Sequence, residues 1–427
     1  MGFWNMLEVA SMPILEVLIV SLIGAFLASH YSNLLPLHML SSLNKLVFVV
    51  FSPCYIFASL VQTITLEDLI SWWFMPLNIL LTFVIGGILG WIVVKITRPK
   101  PHLEGLIIAT CSAGNLGNLV IIIVPAICNE TGTPFGDTNK CRSAALSYAS
   151  FSMALGGFYI WTYTYHLIRT SSIKFKALEA SQSQAQPQQE EITKTPNADL
   201  DGDHQTHLLT NTNKDNNDDD HHHHLDFIVS EINTTTTTTE LEHISSLSSG
   251  SRVGQILHMI REELLAPPTI AVFVGLLFGA TKWLKNLIIG PNAPLRVIQG
   301  SAQLLGDGTQ PCITLLLGGN LIHGNKTSIK AKVLIGVICS RYILLPGIGI
   351  LIVKGANQLG LLPSDPLFLY LLMLQFTLPP AMNISTMTQL FNVAQEECSL
   401  LFLWTYLLAA PALTIWSTIY ISILSHH

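Results

Sequence analysis

The ninth apolar segment of the chain reads Leu374-Gln375-Phe376-Thr377-Leu378-Pro379-Pro380-Ala381-Met382-Asn383-Ile384-Ser385-Thr386. Two consecutive prolines remove two amide donors and clash with the preceding turn, so a helix must break at Pro379-Pro380. Inside a bilayer, backbone groups freed by such a break are tolerated only where protein or a cavity satisfies them. The segment therefore predicts a broken membrane helix at a binding site.

A second interruption lies in the fourth apolar segment, Ala109-Thr-Cys-Ser-Ala-Gly114-Asn115-Leu-Gly117-Asn118-Leu-Val-Ile-Ile-Ile-Val-Pro125. When the two halves of the chain are superposed, Gly114-Asn115 falls opposite Pro379-Pro380 and Asn118 falls opposite Asn383. Breaks at equivalent places in inverted halves make two helices cross at mid-membrane, where their half-helix ends direct partial charges at one point. Recognition by dipoles, amides and hydroxyls suits a singly charged, amphipathic ligand; the alternative is that these residues serve packing alone.

The two breaks belong to a repeat that runs through the chain. Pro13-Ile-Leu-Glu-Val-Leu-Ile-Val-Ser-Leu-Ile-Gly24-Ala25 matches Pro268-Thr-Ile-Ala-Val-Phe-Val-Gly-Leu-Leu-Phe-Gly279-Ala280. One helix later, Pro53-Cys54 falls opposite Pro311-Cys312. Such internal similarity between hydrophobic halves is typical of secondary transporters. Half of the 427 residues are apolar and only 11% are charged, which excludes an ordinary soluble globular protein.

We predict an all-α integral membrane protein with ten transmembrane helices, arranged as two inverted five-helix repeats with broken, crossing fourth and ninth helices. About 20 apolar residues cross the hydrocarbon core. The predicted spans are Leu7–Ala28, Leu40–Val61, Leu69–Ile96, Leu103–Ile127, Ala144–Ile168, Pro267–Ile289, Val297–Ile322, Val333–Val353, Leu367–Phe391 and Leu400–Leu424. An odd number of spans per half, with a linker that starts and ends on one side, requires inverted topology.

The polar middle, residues 169–265, is predicted to be a disordered linker between membrane domains 1–168 and 266–427. Its Ser-, Gln-, Asn- and Asp-rich composition cannot bury enough apolar surface to offset chain entropy. Eleven Lys and Arg residues fall on the linker's side of the membrane and six on the other. This bias puts the linker in the cytosol and both termini outside or in a lumen.

Two cysteines, Cys128 and Cys141, bracket a short loop on the non-cytosolic side. Either they form a disulfide, which would suit an oxidising compartment, or both thiols are free. Asn129 begins the glycosylation sequon Asn129-Glu-Thr131 on the same face. A glycan there would confirm the orientation, but the site lies close to the membrane.

Three ionisable groups, Glu16, Asp307 and Arg341, lie deeper in predicted spans than is usual. Charges inside a membrane are costly and indicate function by default. We predict that Asp307 binds a proton or pairs with Arg341 and supports the crossing from behind; the alternative is a structural polar network. The pair lacks a nucleophile, and no metal-ligand spacing occurs inside the predicted spans, so we expect no enzyme, metal or cofactor.

The chain resembles the plant PIN-LIKES group of the auxin efflux carrier superfamily. The matching motifs are Cys128-x-Glu130…Pro134-Phe-Gly-Asp137…Cys141, Ser152-Met-Ala…Tyr159-Ile-Trp161-Thr-Tyr163 and Leu305-Gly-Asp-Gly-Thr-Gln-Pro-Cys312…Leu317-Gly-Gly-Asn320-Leu. The resemblance covers both membrane halves and implies a fold akin to bile-acid and sodium/proton transporters. In that fold a transport domain, spans three to five and eight to ten, moves against a scaffold of spans one, two, six and seven.

The resemblance also implies a function, intracellular transport of auxin (indole-3-acetic acid) at the endoplasmic reticulum membrane. We expect alternating-access movement from cytosol to lumen that regulates auxin homeostasis and signalling. Carried over by motif, Asn118 and the Pro379-Pro380 turn are substrate-binding; Asn115, Gln375 and Asn383 join them from their positions beside the breaks. The long PIN carriers have a proline at both crossings, whereas this chain has glycine and asparagine at the first.

Two other functions stay open for the same sequence. One is an ion-coupled carrier of another organic anion, and the other is a membrane sensor that binds a ligand without net transport. The expected partners are a small-molecule substrate and the lipid bilayer, with no nucleic acid. Homodimers are common among related carriers, although no segment of this chain specifies an interface.

Overall fold

The computed structural model describes residues 3–32, 34–128, 134–184, 265–291, 293–323 and 329–425. Those residues form helices and turns, with no β-strand beyond one single-residue bridge. The all-α prediction is therefore confirmed. Both apolar halves belong to one compact unit, Met1–Ser181 with Glu262–His427, and Gln182–Arg261 forms a second unit.

The first half contains eight helices within its described residues. They are α1 (Phe3–Ala28), α2 (Leu37–Thr63), α3 (Leu66–Ser71), α4 (Phe74–Thr97), α5 (Glu104–Ser112), α6 (Asn118–Ile127), α7 (Thr138–Tyr159) and α8 (Tyr165–Gln184). A π-helical turn, Val47–Phe51, lies within α2, and another, Ile160–Thr164, joins α7 to α8. Local signals begin some of these helices. Thr65 and Asp68 form a capping box at α3, and the Asp137 carboxylate accepts from the Lys140 amide at α7.

The second half likewise contains eight helices in the part of it that the structure describes. They are α9 (Pro267–Ala280), α10 (Lys282–Ile288), α11 (Arg296–Asp307), α12 (Thr309–His323), α13 (Ala331–Gln358), α14 (Pro366–Leu374), α15 (Asn383–Leu390) and α16 (Gln395–Ser425). A third π-helical turn, Ser340–Leu344, lies within α13. Asp365 caps α14 by accepting from the Leu367 amide at 2.9 Å.

Four of these helices, α2, α4, α13 and α16, are long and apolar enough to cross a membrane alone. The pair α9 and α10, bent by 103°, makes a fifth if it is counted as one span. Breaks divide other predicted spans, including the fourth, seventh and ninth, into shorter helices. Large apolar side chains such as Leu22, Ile96 and Leu351 are exposed, as expected on a surface that faces lipid. The count of ten spans stays a prediction.

The predicted start of the linker at residue 169 lies inside a helix, because α8 continues to Gln184. The sequence there becomes polar while the backbone stays helical. Ser172 shows why the first part is held, since its hydroxyl donates to the Phe391 carbonyl oxygen at 2.8 Å. Loss of apolar periodicity therefore marks the end of the hydrophobic segment and not the end of the helix.

The two halves pack against each other reciprocally, as expected of an internal repeat. The first helix of each half lies against the second span of the other, α1 against α12 and α9 against α2. At the first of these contacts the backbones touch, because a Cβ atom at Gly24 would overlap the carbonyl oxygen of Leu315. This frame leaves the broken segments, α5–α6 and α14–α15, to meet each other in the interior.

Candidate ligand-binding site at the crossing

The two broken segments cross, and backbone hydrogen bonds join them. α5 ends at Ser112, where Ala113 is extended, and α14 ends at Leu374. The backbone N–H of Asn115 donates to the Pro379 carbonyl oxygen at 2.8 Å, and the backbone N–H of Ala381 donates to the Ala113 carbonyl oxygen at 2.9 Å. Gly114 and Pro380 thereby form an antiparallel bridge. The broken segments satisfy part of each other's backbone, as a bilayer interior requires.

A buried arginine satisfies further carbonyl groups of the crossing. Arg341, in the π-helical turn of α13, is 0% exposed. Its Nε donates to the Leu378 carbonyl oxygen at 2.7 Å, and its Nη1 donates to that of Cys111 at 2.8 Å. A longer bond of 3.4 Å joins Nη2 to Pro379. Cys111 lies in the last turn of α5, where a cation near the carbonyl groups is stabilising. The bond to Leu378 joins Arg341 to the segment between α14 and α15.

The structure corrects the predicted pairing of Asp307 with Arg341. Asp307 is exposed at the end of α11, where it accepts from Gln303 Nε2 at 2.6 Å. The bonds of Arg341 end on backbone carbonyls instead. Glu16 is also exposed. Hydropathy indicates how deep a residue lies in a span but not the direction of its side chain, which is why the two residues were paired.

Asn115 lies in the wall of the crossing and is held by a tyrosine from the last helix. Its Nδ2 donates to Tyr406 Oη at 2.9 Å, and that hydroxyl donates to the Pro380 carbonyl oxygen at 2.9 Å. Asn115 is 8% exposed and lines a cavity, whereas Tyr406 is 1% exposed. These two hydrogen bonds fix the orientation of the Asn115 side-chain amide in the cavity wall.

Gln375 faces a different environment from the one predicted. Its Nε2 donates to Ser152 Oγ at 2.9 Å, and its Oε1 accepts from Asn78 Nδ2 at 2.8 Å. Asn78 also donates to the Leu372 carbonyl oxygen at 3.0 Å. Gln375 is 0% exposed and does not line the cavity. The glutamine joins α4, α7 and the end of α14 in a polar network.

The cavity lies between the crossing and the helices on its other side. It is lined by the polar residues Ser52, Tyr55, Asn115, Thr309, Gln310 and Asn383, the apolar residues Ile56, Leu116, Met153, Ile160, Trp161, Ala381 and Met382, and Gly117 and Gly157. Two of the predicted site residues, Asn115 and Asn383, are therefore brought together. None of the described lining residues is charged. Its volume of about 50 Å³ holds a few water molecules.

Two helices begin at this cavity. Gly117, which precedes α6, lines it, and so do Met382 and Asn383 at the start of α15. The backbone of Asn118 begins α6 itself. A helix N-terminus carries a partial positive charge of about half an elementary charge. The crossing thus directs two positive helix ends toward the cavity, while Arg341 holds carbonyls on the other side.

The remaining predicted site residues have other positions. Pro379 and Pro380 are buried and do not line the cavity, and their carbonyl oxygens accept from Asn115, Arg341 and Tyr406. Cys128 and Cys141 are joined by a disulfide with Cα atoms 5.8 Å apart. Asn129 lies outside the described residues.

Sequence reasoning missed the cavity wall opposite the crossing, including Ser52, Trp161 and Thr309. A signal for two of them was present in the repeat, since Ser52 directly precedes Pro53-Cys54 and Thr309 lies two residues before Pro311-Cys312. Trp161 lies in one of the motifs that carry the family resemblance. None of these positions is charged or interrupts a helix by itself, so composition alone did not single them out.

Comparisons with known proteins agree with this architecture. A family model described as "Membrane transport protein" matches residues 9–417. The chain is 57% identical over 427 residues to Protein PIN-LIKES 7 of Arabidopsis thaliana, with 100% of both chains covered. It is 56% identical over 426 residues to Protein PIN-LIKES 5 of the same plant, covering 99% of this chain and 100% of that one. To Protein PIN-LIKES 3 it is 40% identical over 413 residues, covering 96% of each.

These matches extend over both membrane halves and the crossing between them. The apolar helices and the lipid-facing surface make the chain a multi-pass membrane protein. Carriers built from such repeats bind small molecules at broken helices near the bilayer midplane. The chain belongs to the membrane transport protein family and, within it, to the PIN-LIKES group.

Proposed function

We propose that this protein is an intracellular carrier that moves auxin, indole-3-acetic acid, across the endoplasmic reticulum membrane from cytosol to lumen. The observation that carries the proposal is the uncharged cavity at which α6 and α15 begin. Helix N-termini stabilise a single negative charge without a salt bridge, so the carboxylate binds and can also leave. The apolar part of the wall, including Ile56, Met153 and Ile160, suits an indole ring.

The mechanism we favour is movement of spans three to five and eight to ten against the other four. Buried polar bonds unite the moving set: Arg341 joins α13 to both broken segments, and Tyr406 joins α16 to both. Gln375 adds α4 and α7. A bond from Asn44 Nδ2 to the Thr386 carbonyl oxygen, 2.9 Å long, crosses to the scaffold. Such a bond must break during the movement.

The cavity also indicates that movement is needed for binding. At roughly 10–15 Å³ for each water molecule, a volume of about 50 Å³ cannot hold an indole ring with its carboxylate. Separation of the scaffold from the crossing would enlarge the cavity on one side of the membrane at a time. This property is the requirement for alternating access.

For location, we propose the endoplasmic reticulum membrane with the linker in the cytosol and both termini in the lumen. The disulfide between Cys128 and Cys141 supports an oxidising compartment on the side opposite the linker. Protease protection of tags placed at the termini and in the linker, in sealed microsomes, tests the orientation. Digestion of the linker tag alone is expected, and digestion of the terminal tags would reverse the topology.

The function is tested by uptake of radiolabelled indole-3-acetic acid into proteoliposomes that contain the full chain. We expect saturable uptake that falls at least about tenfold in Asn383→Ala, because Asn383 lines the cavity. We expect the same in Asn118→Ala, because the family motif assigns Asn118 to the site. Asn357→Ala is the matched control, since Asn357 is exposed in α13 and does not line the cavity. Its uptake should equal that of the wild type.

The other outcomes separate the alternative functions. Specific binding without uptake, and without exchange of labelled for unlabelled substrate, would favour a sensor. Uptake that requires a sodium or proton gradient, and that another organic anion inhibits more strongly than auxin does, would favour an ion-coupled carrier. In that case, Asp307→Asn would test whether the Asp307 carboxylate takes part in the coupling. If the protein neither binds nor takes up indole-3-acetic acid, auxin is rejected as the substrate.

A further inference from the structure

Three polar side-chain atoms, on residues that line the cavity opposite the crossing, are buried and have no hydrogen-bond partner among the described residues. They are Ser52 Oγ, Thr309 Oγ1 and Trp161 Nε1. Their residues are 3%, 3% and 0% exposed. Buried polar groups in folded proteins are nearly always hydrogen-bonded, so each exception calls for an explanation. Three exceptions in the wall of one cavity point to a ligand that bonds to them.

The backbone around these residues keeps the three groups available. In a regular helix, Ser and Thr hydroxyls commonly donate to the carbonyl oxygen four residues earlier, as those of Thr82 and Thr405 do here. Ser52 instead follows directly on the π-helical turn Val47–Phe51, and Thr309 begins α12 after the break at Gly308. Trp161 lies within another π-helical turn. Such turns occur frequently at functional sites.

The chemistry of these groups selects the ligand class. An indole N–H is a donor only, and each hydroxyl has one proton to donate. A carboxylate has about four lone-pair sites and can accept from all three. The described lining residues offer no Lys or Arg, so charge compensation must come from elsewhere. The N-termini of α6 and α15 supply it from the facing wall.

We propose that Ser52, Thr309 and Trp161 donate hydrogen bonds to the carboxylate of the transported organic acid. This inference rests on the proposed function and names the recognition site for its substrate class. The carboxylate then lies between the crossing, which belongs to the moving helices, and α2 and α12, which belong to the scaffold. Substrate binding therefore bonds the two parts together and favours acids over the corresponding amides and alcohols.

The test uses substitutions that each remove one polar group. Ser52→Ala and Thr309→Val change little volume, whereas Trp161→Phe also replaces a fully buried indole by a smaller ring. Binding of radiolabelled indole-3-acetic acid to the purified full chain is measured beside the midpoint of thermal unfolding. Each variant should bind about tenfold more weakly, as expected when a bond to a charged group is lost. The unfolding midpoints of Ser52→Ala and Thr309→Val should be unchanged or higher, since each removes a polar group without a partner among the described residues. That of Trp161→Phe should fall, because the smaller ring leaves a cavity at a buried position.

Thr314→Val is the matched control. It is the same substitution in the same helix, but the Thr314 hydroxyl already donates to the Gln310 carbonyl oxygen at 2.8 Å. This variant should bind the acid as the wild type does. Competition by indole-3-acetamide is a second readout, because the amide lacks the charge. The three variants should lower the preference for acid over amide, and Thr314→Val should keep it.

Two results would overturn the inference while the proposed function stands: wild-type affinity in all three variants, or affinity losses in Ser52→Ala and Thr309→Val that only accompany lower unfolding midpoints. The first would put the carboxylate elsewhere, and the second would make the three groups structural. No binding of the acid by the wild-type protein would instead reject the proposed function, and this inference with it.

Discussion

The two sides of the crossing differ in how completely their polar groups are satisfied. On one side, Arg341 donates to the carbonyl oxygens of Cys111 and Leu378, and Tyr406 donates to that of Pro380. On the cavity side two helices begin, and polar atoms of Ser52, Thr309 and Trp161 have no hydrogen-bond partner within the described part of the chain. A satisfied polar group stabilises the fold, whereas an unsatisfied one at a cavity is available to a ligand. The difference separates residues that build the crossing from residues that we propose bind the substrate.

The largest effect on the fold is expected from Arg341→Met. Loss of the guanidinium leaves the carbonyl oxygens of Cys111 and Leu378 without their donor, at a cost of about 1–3 kcal/mol each. We expect a lower unfolding midpoint and aggregation of the detergent-purified protein on size-exclusion chromatography. Arg341→Lys should be intermediate, because an ammonium group lacks the planar fork that reaches both oxygens.

The control for Arg341 is Lys174→Met, which removes an exposed cation that pairs with Glu104 at 3.0 Å. Exposed ion pairs contribute about 0–1 kcal/mol, so its unfolding midpoint should stay close to that of the wild type. A stable, monodisperse Arg341→Met protein would show that the satisfied side of the crossing does not depend on this residue.

The largest effect on binding without an effect on the fold is expected from Gly157→Leu. Gly157 lines the cavity, and a Cβ atom there would meet no atom within 4 Å. The leucine side chain should fill the cavity, abolish uptake and leave the unfolding midpoint unchanged or slightly higher, because glycine is a poor helix former. Uptake of indole-3-acetic acid and thermal unfolding measure the two effects.

Gly347→Leu in α13 is the matched control, because a Cβ atom at Gly347 also meets nothing within 4 Å, yet Gly347 does not line the cavity. Normal uptake is expected there. If Gly157→Leu transported normally as well, the cavity would not be on the substrate's path.

A smaller effect, on stability alone, is expected from Gln375→Leu. The change removes bonds to Ser152 and Asn78, and leaves the Ser152 hydroxyl without this partner in a buried network. We expect a loss of about 1–3 kcal/mol in the free energy of unfolding. The affinity of the folded protein for indole-3-acetic acid should change less than about twofold, because Gln375 does not line the cavity. A large loss of affinity at unchanged stability would return Gln375 to the binding site, where the sequence had predicted it.

The two breaks and their pairing could be predicted from the sequence because proline and glycine act through the backbone. The consecutive prolines Pro379-Pro380 remove two amide donors and clash with the preceding turn, and the repeat sets Gly114-Asn115 opposite them. The structure joins the two segments by the bridge between Gly114 and Pro380, with hydrogen bonds donated by the backbone amides of Asn115 and Ala381. A Cβ atom at Gly114 would lie 2.6 Å from Arg341 Nη2, so the glycine also makes room for the guanidinium.

The direction of side chains could not be predicted in the same way. Asn115 and Gln375 both lie beside a break, but one lines the cavity and the other faces Asn78. In a helix, direction follows from a regular 100° step between residues. A π-helical turn adds a residue and shifts that register, and Arg341 and Trp161 both lie in such turns. For this reason the partner of Arg341 and the wall that contains Trp161 became visible only in the structure.

The smallest expected effect tests the connection between the two sides. Tyr406→Phe removes the hydroxyl that accepts from Asn115 Nδ2 and donates to the Pro380 carbonyl oxygen. The free energy of unfolding should fall by about 1 kcal/mol. Affinity for indole-3-acetic acid should fall a few-fold, because the Asn115 side chain stays in the cavity wall but is no longer held in one orientation. In a double-mutant cycle with Asn115→Ala, the two losses of affinity should not add, since both act through one amide. Additive losses would mean that Tyr406 and Asn115 act on the substrate independently, and that the satisfied side does not control the geometry of the binding side.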